Sequence, residues 1–136
     1  MPPSHSIPVR VYYEDTDAGG IVYHASYLRF AERGRTEFLR ALGWDHRRTA
    51  QELGALLIVR RVEIDYLAPA LLDDSLEMRT EVADMGNASL TMTQTLTRGE
   101  QTLAVLKVVI VAISPEKRPI RMPPQLRQIF TESVSA

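Results

Sequence analysis

The stretch LRFAERGRTEFLRALG, residues 28–43, repeats its apolar side chains at the spacing of an amphipathic helix. Arginine and glutamate fill the polar positions, and Gly43 stands where a helix of this kind commonly ends. Gly34 lies inside the stretch, although glycine costs about 1 kcal/mol relative to alanine in a helix interior. We therefore predict one long helix, with another part of the chain packed closely against Gly34.

The segments around this helix alternate with a period of two, as strands do. Residues 7–14 precede the helix and place Tyr13 on their apolar face. A second, short helix near residues 45–53 is followed by four strand-like segments over residues 56–113. The last of these, residues 103–113, is almost entirely apolar, which is typical of a central strand covered on both faces.

The order of these elements indicates an α+β fold, with the long helix on one face of an antiparallel sheet of about five to six strands. A short helix over residues 125–132 ends the pattern. No repeat or linker divides the chain, so we predict a single domain over residues 1–136, with extended or disordered ends at 1–5 and 132–136. Uncovered edge strands pair readily with a second copy, so a homodimer or homotetramer is expected.

The composition excludes several classes of function. The 136 residues contain no cysteine, which rules out disulfides and thiolate chemistry. Sixteen Lys and Arg residues against seventeen Asp and Glu give a net charge of -1, which offers no electrostatic basis for binding nucleic acid or an anionic membrane. No run approaches the roughly 20 apolar residues of a membrane helix, and the first residues do not resemble a signal peptide. We expect a cytoplasmic protein that does not insert into membranes.

The segment VYYEDTDAGGIVYH, residues 11–24, connects the first predicted strand to the long helix. Backbone N–H groups at a helix N-terminus are free to stabilise an oxyanion or a polarised carbonyl. Gly19 and Gly20 allow a ligand to approach the backbone closely. Asp17 can act as a nucleophile or as a general base, and His24 can orient a substrate or transfer a proton. This combination suits attack on an acyl carbonyl, although acids in a loop also serve simply to cap helices.

Other chemistries lack the residues that they need. The run DTDAG, residues 15–19, begins like a calcium loop but has Ser26 where the bidentate glutamate belongs. His5, His24 and His46 are scattered and form no zinc motif. Serine-hydrolase, phosphate-loop and dinucleotide-binding motifs are also missing. We therefore expect no metal site.

The run VRVYYEDTDAGGIVYHASYLRFAERGRTEFLRALGW, residues 9–44, resembles the signature of hotdog-fold acyl-CoA thioesterases. It is most similar to the YbgC-like, Tol/Pal-cluster branch of the 4-hydroxybenzoyl-CoA thioesterase family. A second block, VRRVEIDYLAPALLDDSLEM at residues 59–78, also matches, and the similarity covers about residues 7–130. The resemblance implies a hotdog fold, in which a curved antiparallel sheet wraps the long helix.

The resemblance further implies hydrolysis of an acyl-CoA to a free acid and CoA, without a cofactor or a metal. Asp17 matches the catalytic carboxylate, which either forms a mixed anhydride or deprotonates water. His24 matches a functional position whose backbone N–H polarises the thioester carbonyl. Tyr13 matches a tyrosine beside them, although a place in the core explains it equally well. In this family the active site lies at the dimer interface, so each site would use two chains.

Substrate contacts are implied by the same resemblance. Tyr27, Leu57 and Val59 are expected to line the acyl pocket, although core packing explains them equally well, and exposed arginines would meet the phosphates of CoA. Hotdog domains also serve as binding modules, so an alternative is binding of acyl groups or of an acyl carrier protein, with weak hydrolysis. The full set of expected substrate-binding residues is Gly19, Gly20, Val22, Tyr27, Leu57, Val59, Arg60 and Arg118.

Overall fold

The computed structural model of the protein describes residues 4–134. The predicted order of strand, long helix, short helix, strands and terminal helix is confirmed. Gly43 follows the end of the long helix with a φ of 95°, in the left-handed region that glycine favours. The elements are β1 (Ser4–Arg10), a 3-10 turn (Tyr13–Asp15), α1 (Ser26–Ala41), α2 (His46–Leu53), β2 (Leu56–Tyr66), β3 (Ser75–Met85), β4 (Ser89–Arg98), β5 (Gln101–Ile113), β6 (Pro119–Ile120) and α3 (Pro124–Glu132).

The six strands form one antiparallel sheet in the order β1-β3-β4-β5-β2, with β6 beside β5. β1 and β2 are therefore the two edge strands. α1 packs across β1 and β3 and buries Phe30, Phe38 and Leu39. Register shifts interrupt the pairing of β2, β3 and β5, and irregularities of this kind bend a sheet. One long helix on an interrupted antiparallel sheet confirms the predicted α+β class.

Gly34 lies where α1 meets the sheet. A Cβ atom at this position would lie 2.9 Å from Met78 Cγ, 2.9 Å from Thr80 Oγ1 and 3.0 Å from Gln94 Nε2. The Gln94 side chain joins helix to sheet, because its Nε2 donates to Ala31 O at 2.8 Å and to Thr80 Oγ1 at 2.8 Å. The predicted close packing at Gly34 is therefore confirmed.

The first strand is shorter than predicted. β1 ends at Arg10, and residues 13–15 form a 3-10 turn in which Asp15 Oδ2 accepts a hydrogen bond from the Tyr12 N–H at 2.8 Å. The turn carries Tyr13 away from the apolar face, and its side chain is 83% exposed. The alternative of Tyr13 as a core residue is wrong.

The central strand β5 is covered on one face only in the single chain. Leu106, Val108 and Ile110 are buried, whereas Lys107 and Val109, which alternate with them, are exposed and half-buried. The prediction of cover on both faces is therefore wrong for a single chain. The apolar character of β5 reflects instead its central place between β4 and β2.

The predicted ends are described only in part. Residues 1–3 and 135–136 lie outside the described residues, whereas Ser4 and His5 belong to β1 and Val134 forms a parallel bridge with Val82. Between residues 4 and 134 no helix is long and apolar enough to cross a membrane. In that same range no three potential metal ligands come together.

Candidate active site

A cavity of about 390 Å³ opens beside the loop that precedes α1. The loop forms one wall, the start of α1 a second, and the end of β2 with the residues after it a third. Four of the predicted site residues meet here, namely Asp17, Val22, His24 and Tyr27. The other lining residues are Ile21, Tyr66, Leu67, Ala68 and Pro69.

The loop folds tightly around the carboxylate of Asp17. The Asp17 N–H donates to Ile21 O at 2.9 Å, and the Gly20 N–H donates to Asp17 O at 3.2 Å. The Gly19 N–H donates to Asp17 Oδ1 at 2.8 Å. Gly20 has a φ of 81°, which residues with a side chain rarely adopt, so this glycine lets the chain reverse. The result is an exposed carboxylate with one oxygen held by the backbone.

Further contacts tie this loop to the segment between β2 and β3. The Val22 N–H donates to Ala70 O at 2.9 Å, and Ile21 forms an isolated bridge with Leu71. The hydroxyl of the buried Tyr27 accepts a hydrogen bond from the Ala70 N–H at 3.1 Å. The loop is therefore held from outside as well as by its own hydrogen bonds.

Asp15, two residues before Asp17, has a structural role. It is only 3% exposed, and its Oδ1 lies 3.7 Å from Arg29 Nη2. Its carbonyl oxygen accepts hydrogen bonds from the Tyr23 N–H at 2.8 Å and from Ser26 Oγ at 3.0 Å. Asp15 therefore joins the 3-10 turn to the start of α1.

The segment that leads into α1 leaves two adjacent backbone donors uncommitted. The Tyr23 N–H donates to Asp15 O, and the Ser26 N–H donates to Tyr23 O at 2.8 Å. Between them, the N–H groups of His24 and Ala25 donate to no acceptor among residues 4–134. Free N–H groups at a helix start carry the positive end of the helix dipole, so these two can stabilise a negatively charged oxygen.

The end of β2 supplies Tyr66, a site residue that sequence reasoning missed. Its hydroxyl donates a hydrogen bond to His24 O at 2.8 Å, across 42 positions of sequence. Its ring meets the Tyr27 ring edge-on, with centroids 5.0 Å apart and planes at 88°. Loss of hydration, and then the neighbouring Tyr27, raises the pKa of Tyr66. The phenol therefore stays protonated at neutral pH and remains a hydrogen-bond donor.

The predicted acyl-pocket residues Leu57 and Val59 do not reach this cavity in a single chain. They line a second cavity of about 450 Å³, at the opposite end of β2 and against α1 and α2. Arg35 forms part of its polar wall and donates from Nη1 to Gln94 Oε1 at 3.0 Å. Burial lowers the pKa of Arg35, an effect that the charge of Glu32 partly offsets. Glu32, Thr36, His46 and Thr49 complete the polar wall, and the other lining residues are apolar.

Five other predicted residues do not line the first cavity in a single chain, and two of them are Gly19 and Gly20 of the Asp17 loop. Arg60 is exposed at the register shift in β2. Arg118 is exposed in the turn after β5. The last residue of β5 pairs with the first residue of β2, so Arg118 lies at the end of β2 that is remote from Tyr66. Tyr13 is not among the lining residues of the first cavity.

Fold and site together define the class of protein. Residues 11–130 match the model of the thioesterase-like superfamily, and the chain belongs to this family. A solved structure, a probable thioesterase from Bartonella henselae, matches with a TM-score of 0.85 at 39% sequence identity, over 88% of this chain and 99% of that one. The resemblance to hotdog-fold thioesterases is thereby confirmed.

Within this family the chain is similar to the YbgC proteins. It is 47% identical over 119 residues to the acyl-CoA thioester hydrolase YbgC of Escherichia coli O157:H7, covering 87% of this chain and 88% of the relative. It is 41% identical over 126 residues to the acyl-CoA thioesterase YbgC of Haemophilus influenzae, covering 92% and 93%. The predicted YbgC-like branch is confirmed.

Proposed function

We propose that the protein hydrolyses acyl-CoA thioesters to a free acid and CoA. One observation carries this proposal: a single cavity is lined by both Asp17 and His24, and the N–H groups of His24 and of the next residue, Ala25, have no acceptor among residues 4–134. The YbgC relatives are named acyl-CoA thioester hydrolase and acyl-CoA thioesterase, which supports the same reaction.

The reaction requires attack on the carbonyl carbon and departure of a thiolate. The N–H groups of His24 and Ala25 stabilise the negative charge that develops on the thioester oxygen. Asp17 either attacks the carbon, giving a mixed anhydride that water then cleaves, or takes a proton from the attacking water. In both routes the C–S bond breaks and the CoA thiolate later takes a proton from solvent. Thiols ionise far more readily than alcohols, with a pKa of about 8.5 for a free cysteine, so a thiolate leaves without strong acid assistance.

A second copy of the chain completes the site in this proposal. β2 is an edge strand on which Ile58 and Val59 are 41% and 42% exposed. Tyr66 at one end of β2 lines the first cavity, and Leu57 at the other end lines the second. Antiparallel pairing of two β2 edges about a two-fold axis brings the Leu57 end of one copy beside the Tyr66 end of the other. The acyl group then extends from Asp17 into the apolar cavity of the second copy.

The same pairing suggests how CoA binds. Because Arg118 lies at the Leu57 end of the sheet, a second copy brings its Arg118 toward the mouth of the Asp17 cavity. A guanidinium group binds phosphate through two parallel hydrogen bonds. We assign Arg118, with Arg60 on the paired edge, to the phosphates of CoA. Since CoA thioesters occur inside the cell, the proposal places the enzyme in the cytoplasm.

Thiol release from a panel of short-chain, long-chain and aromatic acyl-CoAs tests the proposal. Asp17→Asn preserves the size of the side chain and an acceptor for the Gly19 N–H, but removes both the nucleophile and the base. Turnover should fall by on the order of 10²-fold or more. Asp84→Asn changes an exposed acid on β3 that does not line the cavity, and this control should keep wild-type turnover.

Near wild-type turnover in Asp17→Asn would remove this carboxylate from the mechanism. Absence of thiol release by the wild type with every thioester would overturn the proposed function. The binding-module alternative would then be favoured if the protein bound an acyl carrier protein without releasing thiol.

A further inference from the structure

The peptide group between His24 and Ala25 has no backbone hydrogen bond on either side. Its N–H, that of Ala25, donates to no acceptor among the described residues. Its carbonyl, that of His24, is not taken by the first turn of α1, because the Leu28 N–H donates to Ala25 O at 3.1 Å. Among residues 4–134 the hydroxyl of Tyr66 is the one group that holds this peptide, at 2.8 Å from His24 O.

The position of Tyr66 is itself fixed by its surroundings, so its hydroxyl can hold the His24 carbonyl in place. Its backbone pairs with Ala104 of β5, so the residue belongs to the sheet and not to the loop. Its ring rests edge-on against Tyr27, whose side chain is 3% exposed and is fixed by the Ala70 N–H. The hydrogen bond to His24 O therefore connects the start of α1 to the edge strand.

The carbonyl and N–H of one peptide group are planar and electronically coupled. A donor on the carbonyl oxygen polarises the group and strengthens its N–H as a donor, as in other hydrogen-bond chains. The same bond prevents the peptide from rotating, which keeps the neighbouring N–H of His24 in place.

We propose that Tyr66 is a positioning residue for thioester hydrolysis, acting through its hydrogen bond to His24 O to orient and polarise the free N–H groups that stabilise the oxyanion. This inference rests on the proposed function and adds a residue to its site. Tyr66 does not attack the substrate or transfer a proton in this role.

The test compares Tyr66→Phe with the control Tyr23→Phe. Each variant loses one hydroxyl from a tyrosine next to His24, but the Tyr23 ring packs on the His24 ring at 4.5 Å and its hydroxyl makes no hydrogen bond within residues 4–134. Removing a direct oxyanion donor costs about 10²–10³-fold in kcat, so loss of an indirect support should cost about tenfold, with KM within about twofold. Tyr23→Phe should leave both constants unchanged.

A second readout does not depend on activity. In the substrate-free protein, the amide proton of Ala25 should move upfield in the NMR spectrum of Tyr66→Phe, because the polarising bond to the same peptide is gone. The Tyr23→Phe spectrum should keep the Ala25 signal in place. The Ala25 signal reports whether Tyr66 polarises this peptide, and a loss confined to kcat, which a merely structural role would not give, reports whether that polarisation serves the reaction.

The outcomes are distinct. An unchanged kcat in Tyr66→Phe, an equal loss in Tyr23→Phe, or an unmoved Ala25 signal would each overturn the positioning role. Absence of turnover in the wild type would overturn the proposed function and this inference with it, whereas the Ala25 signal would still report whether the hydrogen bond exists.

Discussion

Three acids lie within four consecutive positions of one loop, and the structure gives them different surroundings. Glu14 is exposed, Asp15 is buried beneath the 3-10 turn, and Asp17 is exposed in the cavity beside His24. The difference follows from the backbone, because the turn at residues 13–15 directs one carboxylate inward and the glycine reversal presents the other outward. Burial therefore separates a structural acid from a candidate catalytic one.

This separation predicts opposite effects on stability and activity. Asp15→Ala removes a buried carboxylate and leaves the Tyr12 N–H without its acceptor, and should lower the free energy of unfolding by about 1–3 kcal/mol. Asp17→Ala removes an exposed side chain and should change it by about 0.5 kcal/mol or less, while abolishing most turnover. Urea unfolding followed by circular dichroism measures both. Equal destabilisation by the two substitutions would contradict the assignment.

The site could be predicted from sequence where its residues are close in the chain. Asp17, the two glycines and His24 stand in one motif, and the structure brings the carboxylate and His24 into one cavity. Tyr66 could not be predicted, because its bond to His24 spans 42 positions and depends on how the end of β2 meets α1. Leu57 and Val59 were expected in one acyl pocket with Tyr27, but a single chain places them in a second cavity at the other end of β2.

At the scale of elements, α1 and the sheet are joined by a polar and apolar contact around Gly34. The spacing of apolar residues predicted both the helix and the sheet. Apolar residues recur at helical spacing in α1 and with a period of two in the strand segments. It failed at residues 11–14, where a local hydrogen bond from Tyr12 to Asp15 ends the strand pattern. Periodicity reports which face is apolar, whereas such turns depend on individual side-chain acceptors.

Gly34→Ala should destabilise the protein although alanine favours helix. The added methyl would lie 2.9 Å from Met78 and Thr80, and the overpacking of a full core typically costs about 1–3 kcal/mol, against about 1 kcal/mol gained in helix propensity. We expect a net loss of about 1 kcal/mol in urea unfolding. Arg33→Ala on the exposed face of α1 is the control and should change stability by less than about 0.5 kcal/mol. A gain in stability for Gly34→Ala would contradict the prediction, and would show that the side chains around Gly34 move aside at little cost.

At the scale of the whole molecule, the free edge of β2 and the separation of the two cavities have one explanation. A single chain holds the Asp17 group and the apolar Leu57 cavity apart, at opposite ends of the same strand. In the proposed dimer, pairing across that edge would unite them twice, once for each copy. Such an arrangement could not be predicted from the pattern of one sequence, because the two halves of the proposed site would lie in different chains.

Val59→Asp should separate the copies and stop turnover together. A charge on an exposed apolar edge opposes strand pairing, so sedimentation velocity should show a monomer with little thiol release. Val134→Asp places the same charge on another exposed valine, 38% accessible and outside β2, and should leave size and turnover unchanged. A Val59→Asp protein that sediments like the wild type would show that β2 is not the shared edge.

The missing methyl group at Gly34 also acts at a distance. It sets the clearance between the helix axis and the sheet, and Ser26 lies about 12 Å further along that axis, at 1.5 Å per residue. A larger side chain at Gly34 would push the middle of α1 away from the sheet and tilt the helix. The start of α1 would then move, and the depth of the cavity beside Asp17 would change. The absence of a side chain at Gly34 thus influences the depth of the cavity, although Gly34 does not line it.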